Sequence, residues 1–141
     1  MTYEEKVRWL RRYQESLRRE QELAEEVERL RSEATRITPL LSGMPGGPGD
    51  GQKVPRAVER IVQAQQALQE QVDRCADVRG KIATTIAQVT NHKDHEILRR
   101  RYILGQRWEY IAVQMEIELR WVYRRHRNAV EGLTIESHSK P

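Results

Sequence analysis

Residues 94–133 carry three short runs of apolar side chains at helical spacing, separated by brief interruptions. The first run stops at Gly105, a residue suited to ending a helix. The second covers Trp108–Met115, Ile117 stands alone in the break that follows, and the third covers Val122–Leu133. A short helix, a tight turn and a longer second helix form the layout of a helix-turn-helix motif. The sequence therefore predicts this motif in its last third.

Positive charge is concentrated in the same part of the chain. Between Arg99 and Arg127 there are eight Arg and three Glu, a net charge of +5. Residues 1–90 carry fifteen basic and fourteen acidic side chains, a net charge of only +1. A positive field on a recognition helix suits the phosphates of a duplex, so the sequence predicts double-stranded DNA as the partner. The simpler alternative is a small three-helix domain whose basic face is only solvated.

One side of the predicted recognition helix, residues 119–133, is expected to contact the DNA. Its basic and aromatic side chains recur at i, i+3, i+4 and i+7, which is one helical face. Arg120, near the helix start, is placed to reach base edges, and Arg124 and Arg127 to reach bases or flanking phosphates. The predicted DNA-binding residues are Arg107, Glu118, Arg120, Tyr123, Arg124 and Arg127.

The segment YILGQRWEYIAVQMEIELRWVYRRHRNAVEGL, residues 102–133, resembles region 4 of bacterial sigma factors. It is closer still to phage-encoded regulators of the ArpU and RinA type and to a related uncharacterised phage family. In these proteins a Trp-Glu-x-Ile-Ala helix precedes a Val-Tyr-Arg-x-His helix, as Trp108–Ala112 precedes Val122–His126 here. The opening YEEKVRWLRRYQ resembles the start of the uncharacterised family, so the likeness covers the whole chain.

This resemblance implies a bacteriophage regulator of late-gene transcription. It adds host RNA polymerase as a candidate second partner. It also implies a location in the bacterial cytoplasm, associated with the nucleoid. The single Cys75 cannot form an internal disulfide bond, and this agrees with a reducing compartment.

Five residues at the predicted crossing of the two helices decide the details of the motif. Ala112 is small where the helices must approach closely, and Ile117 and Val122 are expected to face the core. Glu116 stands where such turns often have Gly, and Glu118 where Ser or Thr usually caps the recognition helix. Because Glu is a weaker cap, these two departures put the turn geometry in question and leave the fold unchanged.

Residues 1–90 are predicted to form a long antiparallel helical hairpin, a coiled coil. Charged residues make up 33% of the chain and hydrophobic residues 38%, a mixture typical of long helices with narrow apolar seams. A heptad seam runs over residues 23–41, and residues 54–89 keep near-heptad spacing with Gln65 as the one polar member. Residues 42–55 hold five Gly and three Pro and predict a loop.

The predicted fold is therefore all-α and has three parts: a hairpin over 1–90 with its loop at 42–55, a helix-turn-helix domain over 91–133, and a disordered tail over 134–141. Each apolar seam is too narrow to stand alone in water, so a partner helix must cover it. Pairing within one chain gives a hairpin, and pairing of two chains gives a four-helix bundle. We expect a homo-oligomer, with a dimer favoured.

Other chemistry is not predicted. The Gly-rich loop lacks the Gly-Lys-Ser/Thr of a phosphate-binding loop and follows no strand. His92 and His95 have a chelating spacing but no third ligand, so no metal site is expected. With no nucleophile–base arrangement we expect neither an enzyme nor a cofactor. No run approaches the roughly 18 apolar residues of a membrane span, so no membrane is expected.

Two questions stay open at this level. Trp121 is expected to point away from both the DNA face and the small core, and to pack on the hairpin, a second subunit or polymerase. His126 is interpreted as a packed or helix-linking imidazole. The alternative functions are a small terminase subunit that recognises phage DNA for packaging, and a coiled-coil adaptor whose basic end meets an acidic protein. A large ring favours packaging, and a dimer or monomer favours regulation.

Overall fold

A computed structural model describes residues 1–42 and 53–136, and every secondary-structure element in those ranges is helical. The predicted all-α class is confirmed. Residues 43–52 of the predicted loop and residues 137–141 of the predicted tail lie outside the described ranges. The elements are α1 (Tyr3–Leu10), α2 (Arg12–Ser42), α3 (Lys53–Ile86), α4 (His92–Leu98), a π-helical turn (Arg99–Ile103), α5 (Trp108–Met115) and α6 (Leu119–Glu131).

Helices α1 and α2 form one bent helix with its bend at Arg11. Thr2 begins it with a capping box: its hydroxyl accepts from the Glu5 N–H at 3.1 Å, and its own N–H donates to the Glu5 carboxylate at 2.7 Å. At the bend the Arg11 N–H donates to the Val7 carbonyl at 3.0 Å, so the hydrogen-bond ladder continues into α2. The predicted long helix is therefore present, divided at one residue.

Helix α3 begins at Lys53, inside the segment predicted as a loop. Pro55 is its third residue. The first four N–H groups of a helix have no intrahelical acceptor, so the missing N–H of a proline costs nothing there. The predicted loop therefore extends three residues too far, since residues 53–55 belong to α3.

The chain divides into two compact units, of which the first comprises residues 1–16 together with those from Cys75 onward. Its main core joins α1, the end of α3, α4, the π-helical turn and α6. The buried members of this core are Leu10, Ile82, Ile86, Leu98, Tyr102, Val130 and Leu133. Helix α1 is therefore part of the body that carries the C-terminal helices, a contact that sequence reasoning did not foresee.

The second unit, residues 17–74, contains most of α2 and the first two-thirds of α3. Val27 is buried on α2, and Gln71 is buried on α3. Gln65, predicted as the polar member of the α3 seam, is exposed, and so is Val58 of the same seam. Further along the helix the predicted seam is buried, at Cys75, Ile82 and Ile86. The pairing of α2 with α3 as a coiled coil stays a prediction.

A second, smaller core holds the predicted helix-turn-helix together. Ile97, Ile111, Ala112 and Val122 are buried in it, and Ile117 packs against it. Ala112, Ile117 and Val122 therefore lie where the sequence predicted. Because α4, α5 and α6 meet at this core, the orientation of α6 relative to α5 is fixed by packing.

Candidate nucleic-acid interface

The turn between α5 and α6 is a Schellman motif with glutamate in the place of glycine. The Ile117 N–H donates to the Ala112 carbonyl at 3.1 Å, and the Glu116 N–H to the Val113 carbonyl at 3.2 Å. Glu116 has φ 57° and ψ 43°, the left-handed conformation that a side chain disfavours. The turn thus keeps the geometry of its glycine-containing counterparts, and Glu116 is strained in it.

Helix α6 starts after Glu118, which is its extended N-cap residue. The Glu118 carbonyl accepts from the N–H groups of Trp121 and Val122 at 2.9 and 3.2 Å, so the first turn is formed. The Glu118 carboxylate makes no capping hydrogen bond. It lies instead 3.6 Å from Nη2 of Arg120, in an exposed ion pair. Such a pair contributes little to stability, so Glu118 competes only weakly with another ligand for Arg120.

The outer face of α6 is basic and contains a tryptophan. At about 100° per residue, Arg124 lies nearly opposite the buried Val122, His126 and Val130, with Arg120 and Trp121 on either side of it. The guanidinium carbons of Arg120 and Arg124 lie 5.5 and 5.3 Å from the Trp121 ring centroid. The expectation that Trp121 points away from the predicted DNA-binding residues is therefore wrong. We call Arg120, Trp121 and Arg124 the outer patch.

Two other predicted residues lie beside the outer patch and are held by packing. The Tyr123 ring is 44% exposed and meets the Trp108 ring edge to face, with centroids 5.4 Å apart. The Arg127 guanidinium lies over the Tyr3 ring, 4.3 Å from its centroid, and its Nε donates to the Glu131 carboxylate at 3.2 Å. Arg127 therefore helps to join α1 to α6.

Four other arginines of the basic segment are partly buried and pack or pair within the fold. The Glu96 carboxylate accepts from Arg99 at 3.0 Å and from Arg100 at 2.8 Å, and these bonds, Arg99 first, lower its pKa. Arg125 pairs with Asp94 at 2.9 Å, and Arg101 stacks over Trp108 at 4.3 Å. The net charge of the segment therefore overstates what it offers to a ligand. Within residues 99–127 the exposed basic residues are Arg107, Arg120, Arg124 and Arg127.

His126 links four elements through a buried aromatic cluster. Its Nε2 lies 2.6 Å from the Tyr102 hydroxyl, its Nδ1 lies 3.3 Å from the Tyr3 hydroxyl, and its ring meets Trp108 at 4.6 Å. Burial, with help from nearby Arg101 and Arg11, lowers the His126 pKa to about 4. The imidazole is therefore neutral at pH 7, with one donor and one acceptor nitrogen for the two hydroxyls. The helix-linking interpretation of His126 is confirmed.

The first sixteen residues supply support that sequence reasoning missed. The Lys6 ammonium donates to the Glu131 carbonyl at 2.8 Å, at the end of α6. The Gln14 amide donates to the Tyr102 and Ile103 carbonyls at 3.3 and 3.1 Å, where the π-helical turn ends. The one available signal was the apolar spacing of the opening helix, which shows a buried face without naming its partner.

Neither a metal site nor a membrane helix is found in the described parts of the chain. Residues 1–42 and 53–136 contain no group of three or more His, Cys, Asp or Glu that could hold a metal ion. Within the same ranges, no helix is both long enough and apolar enough to cross a bilayer.

Comparison of the chain with protein-family models, curated proteins and solved structures gave no match.

Proposed function

We propose that this chain is a sequence-specific duplex-DNA-binding regulator of transcription, encoded by a bacteriophage and acting on late genes. The observation that carries the proposal is the outer patch on α6, at the start of the second helix of a helix-turn-helix. The first residues of such a helix are those that contact base edges in the major groove. Arg120 and Arg124 supply the donors, and arginine to guanine is the commonest specific contact.

The electrostatics of the patch support a polyanionic partner. Among the described residues Arg124 forms no ion pair, and its guanidinium rests on the Trp121 ring. The Arg120 side chain is 74% exposed, and the Glu118 side chain that pairs with it is 67% exposed. Neither arginine would have to break a buried pair to bind phosphate. Arg107, the exposed N-cap residue of α5, is a further cation of the same pair of helices.

A single helix-turn-helix covers few base pairs, so selectivity against a genome requires a second contact. A second copy of the chain, joined through residues 1–90, would supply it, and we propose a dimer. The exposed Val54, Val58 and Val62, spaced four residues apart on α3, support a helical partner there. Host RNA polymerase is the proposed further partner, and the bacterial cytoplasm at the nucleoid the proposed location.

The test is selection of duplexes from a random-sequence pool by the full chain, followed by fluorescence anisotropy on the selected duplex. We expect a defined sequence, and an association constant whose logarithm falls linearly with the logarithm of the salt concentration. The matching single strand and a scrambled duplex serve as controls. If no sequence were enriched and the scrambled duplex bound equally well, the adaptor alternative would be the better interpretation of the basic face.

A further inference from the structure

Trp121 differs from the other two tryptophans of the chain. Trp9 and Trp108 are half-buried, and each packs against one of the two cores of the first unit. Trp121 is 40% exposed, and the neighbours that stack on its ring are Arg120 and Arg124. An exposed aromatic ring stacked with two guanidinium groups is typical of contact surfaces, where tryptophan and arginine are both enriched.

The position of Trp121 on α6 sets what it can reach. It is the third residue of the helix, in the half that enters a groove when a helix-turn-helix binds DNA. By helical spacing it lies about 60° from Arg124 around the axis, so both side chains project from the same side of α6. Because both guanidinium groups stack on the indole, a ligand bound by Arg120 and Arg124 together would lie within reach of that ring.

We propose that Trp121 is a sequence-reading residue that packs its indole against the 5-methyl groups of thymine in the major groove, between the contacts of Arg120 and Arg124. This inference rests on the proposed DNA-binding function. The thymine methyl is the apolar feature of the major groove, and apolar side chains recognise it by contact. Stacking on the indole also restricts the two guanidinium groups before binding, so less freedom is lost when they meet the DNA.

Duplex DNA fits this surface better than an acidic protein does. A protein that buried Trp121 would have to desolvate Arg120 and Arg124 with it and supply a carboxylate to each in one geometry. A duplex offers phosphates and guanine edges along the whole groove, so both cations are satisfied while the ring meets bases. A protein partner is therefore an outcome to be tested against this proposal.

The first experiment uses the full chain labelled with 5-fluorotryptophan, whose three resonances are assigned with Trp9→Phe, Trp108→Phe and Trp121→Phe. On saturation with a selected duplex, we expect the Trp121 resonance to shift. Trp9 and Trp108 serve as internal controls that move less. An unmoved Trp121 resonance at saturation would overturn the inference while leaving duplex binding established. Absence of duplex binding by the wild type would overturn the proposed function itself.

The second experiment isolates the thymine methyl. The selected duplex is compared with one in which deoxyuridine replaces every thymidine, which removes the methyl groups and keeps the base pairing. The wild type should bind the deoxyuridine duplex about threefold to tenfold more weakly, whereas Trp121→Ala should bind both duplexes alike. Equal loss in wild type and variant would assign methyl reading to other residues. A Trp121→Ala variant that keeps wild-type DNA affinity but loses binding to purified bacterial RNA polymerase would make the patch a protein-docking surface.

Discussion

The hydroxyl of Tyr102 lies 2.6 Å from Nε2 of His126, across 24 residues of sequence and inside the core that joins α6 to the rest of the first unit. Both groups are buried, and each satisfies the other. A buried polar group without a partner costs about 1–3 kcal/mol, so the pair specifies one relative position of the π-helical turn and α6. The neutral state of His126 is a condition of this arrangement.

We predict that the protein loses stability between pH 6.5 and pH 4. In the unfolded chain His126 takes up a proton near its ordinary pKa of 6.5, whereas in the folded chain it does so only near pH 4. The unfolded state therefore binds more protons in this window, and the free energy of unfolding falls as the pH falls. The loss at pH 5 should be about 2 kcal/mol relative to pH 7. Urea unfolding at the two pH values measures it.

The matched control for this prediction is His126→Gln, which keeps hydrogen-bonding groups near Tyr102 and Tyr3 but does not titrate. Its free energy of unfolding should be lower at pH 7 and nearly constant between pH 7 and pH 5. If the variant kept the full pH dependence of the wild type, the stability change would belong to other groups and the role of His126 would be wrong.

Relief of strain in the turn should stabilise the protein. Glu116 holds a left-handed backbone that only glycine adopts without cost. Glu116→Gly removes that strain but gives the unfolded chain more freedom, so we expect a net gain of up to about 1 kcal/mol. Glu116→Val places a β-branched residue there and should cost about 1–2 kcal/mol. Thermal unfolding of both variants measures these changes in stability. A Glu116→Gly protein less stable than Glu116→Val would contradict the turn geometry.

Gly105 and Gln14 should be energetically coupled. Gly105 has φ +69°, and a Cβ placed on it would lie 2.6 Å from the Gln14 side-chain oxygen. Gly105→Ala therefore meets both backbone strain and a clash, and should cost about 2–4 kcal/mol. Gln14→Ala leaves the Tyr102 and Ile103 carbonyls without their donor and should cost about 1–2 kcal/mol. In the double variant the clash is gone, so its cost should be less than the sum of the two single costs. Strictly additive costs would mean that the two side chains do not meet.

The sequence was most informative where the fold is local. The succession of α5, a tight turn and α6 could be predicted because its periodicity, its break at Ile117 and its small Ala112 lie within a few turns of one another. Even the unusual Glu116 could be located, since the turn type demands one left-handed residue. Contacts between distant segments were not predictable in this way. Tyr3 and His126 are 123 residues apart, and nothing in the spacing of either helix names the other as its partner.

The same limit explains the errors on individual side chains. Heptad counting placed Cys75, Ile82 and Ile86 on the buried face of α3 correctly, but it also placed Gln65 there, which is exposed. Periodicity shows which residues share a face and does not show how far along the helix that face is covered. The expected orientation of Trp121 takes no account of contacts between exposed side chains. In the structure the guanidinium groups of Arg120 and Arg124 stack on its ring. Residue spacing alone does not encode side-chain stacking of this kind.

Net charge was the least reliable guide to the candidate site. Counting eight arginines treats them as equivalent, but three of them pair with Glu96 or Asp94, and Arg101 stacks on Trp108. Opposite charges three or four residues apart could have flagged Glu96 with Arg99 and Arg100. The pairing of Arg125 with Asp94 spans 31 residues and needed the tertiary structure.

Arg124 and Arg127 should respond differently to replacement by alanine, although both were assigned to DNA from the sequence. The Arg124 side chain is exposed and rests on Trp121, so Arg124→Ala should leave the free energy of unfolding within about 0.5 kcal/mol of wild type. Its binding free energy for the selected duplex should weaken by about 1–3 kcal/mol, with a flatter salt dependence.

Arg127 stacks on Tyr3 and pairs with Glu131, so Arg127→Ala should cost about 0.5–1.5 kcal/mol of stability. Its loss of DNA affinity should be smaller than that of Arg124→Ala and equal for selected and scrambled duplexes, as expected for a phosphate contact.

The control is Tyr3→Leu, which removes the ring beneath Arg127. This variant should lose stability as Arg127→Ala does and keep the DNA contact of Arg124. Measuring urea unfolding and anisotropy on the same preparations separates the two effects. Arg127→Ala variants that lose sequence discrimination while keeping wild-type stability would move the DNA-reading face toward α1 and away from the outer patch.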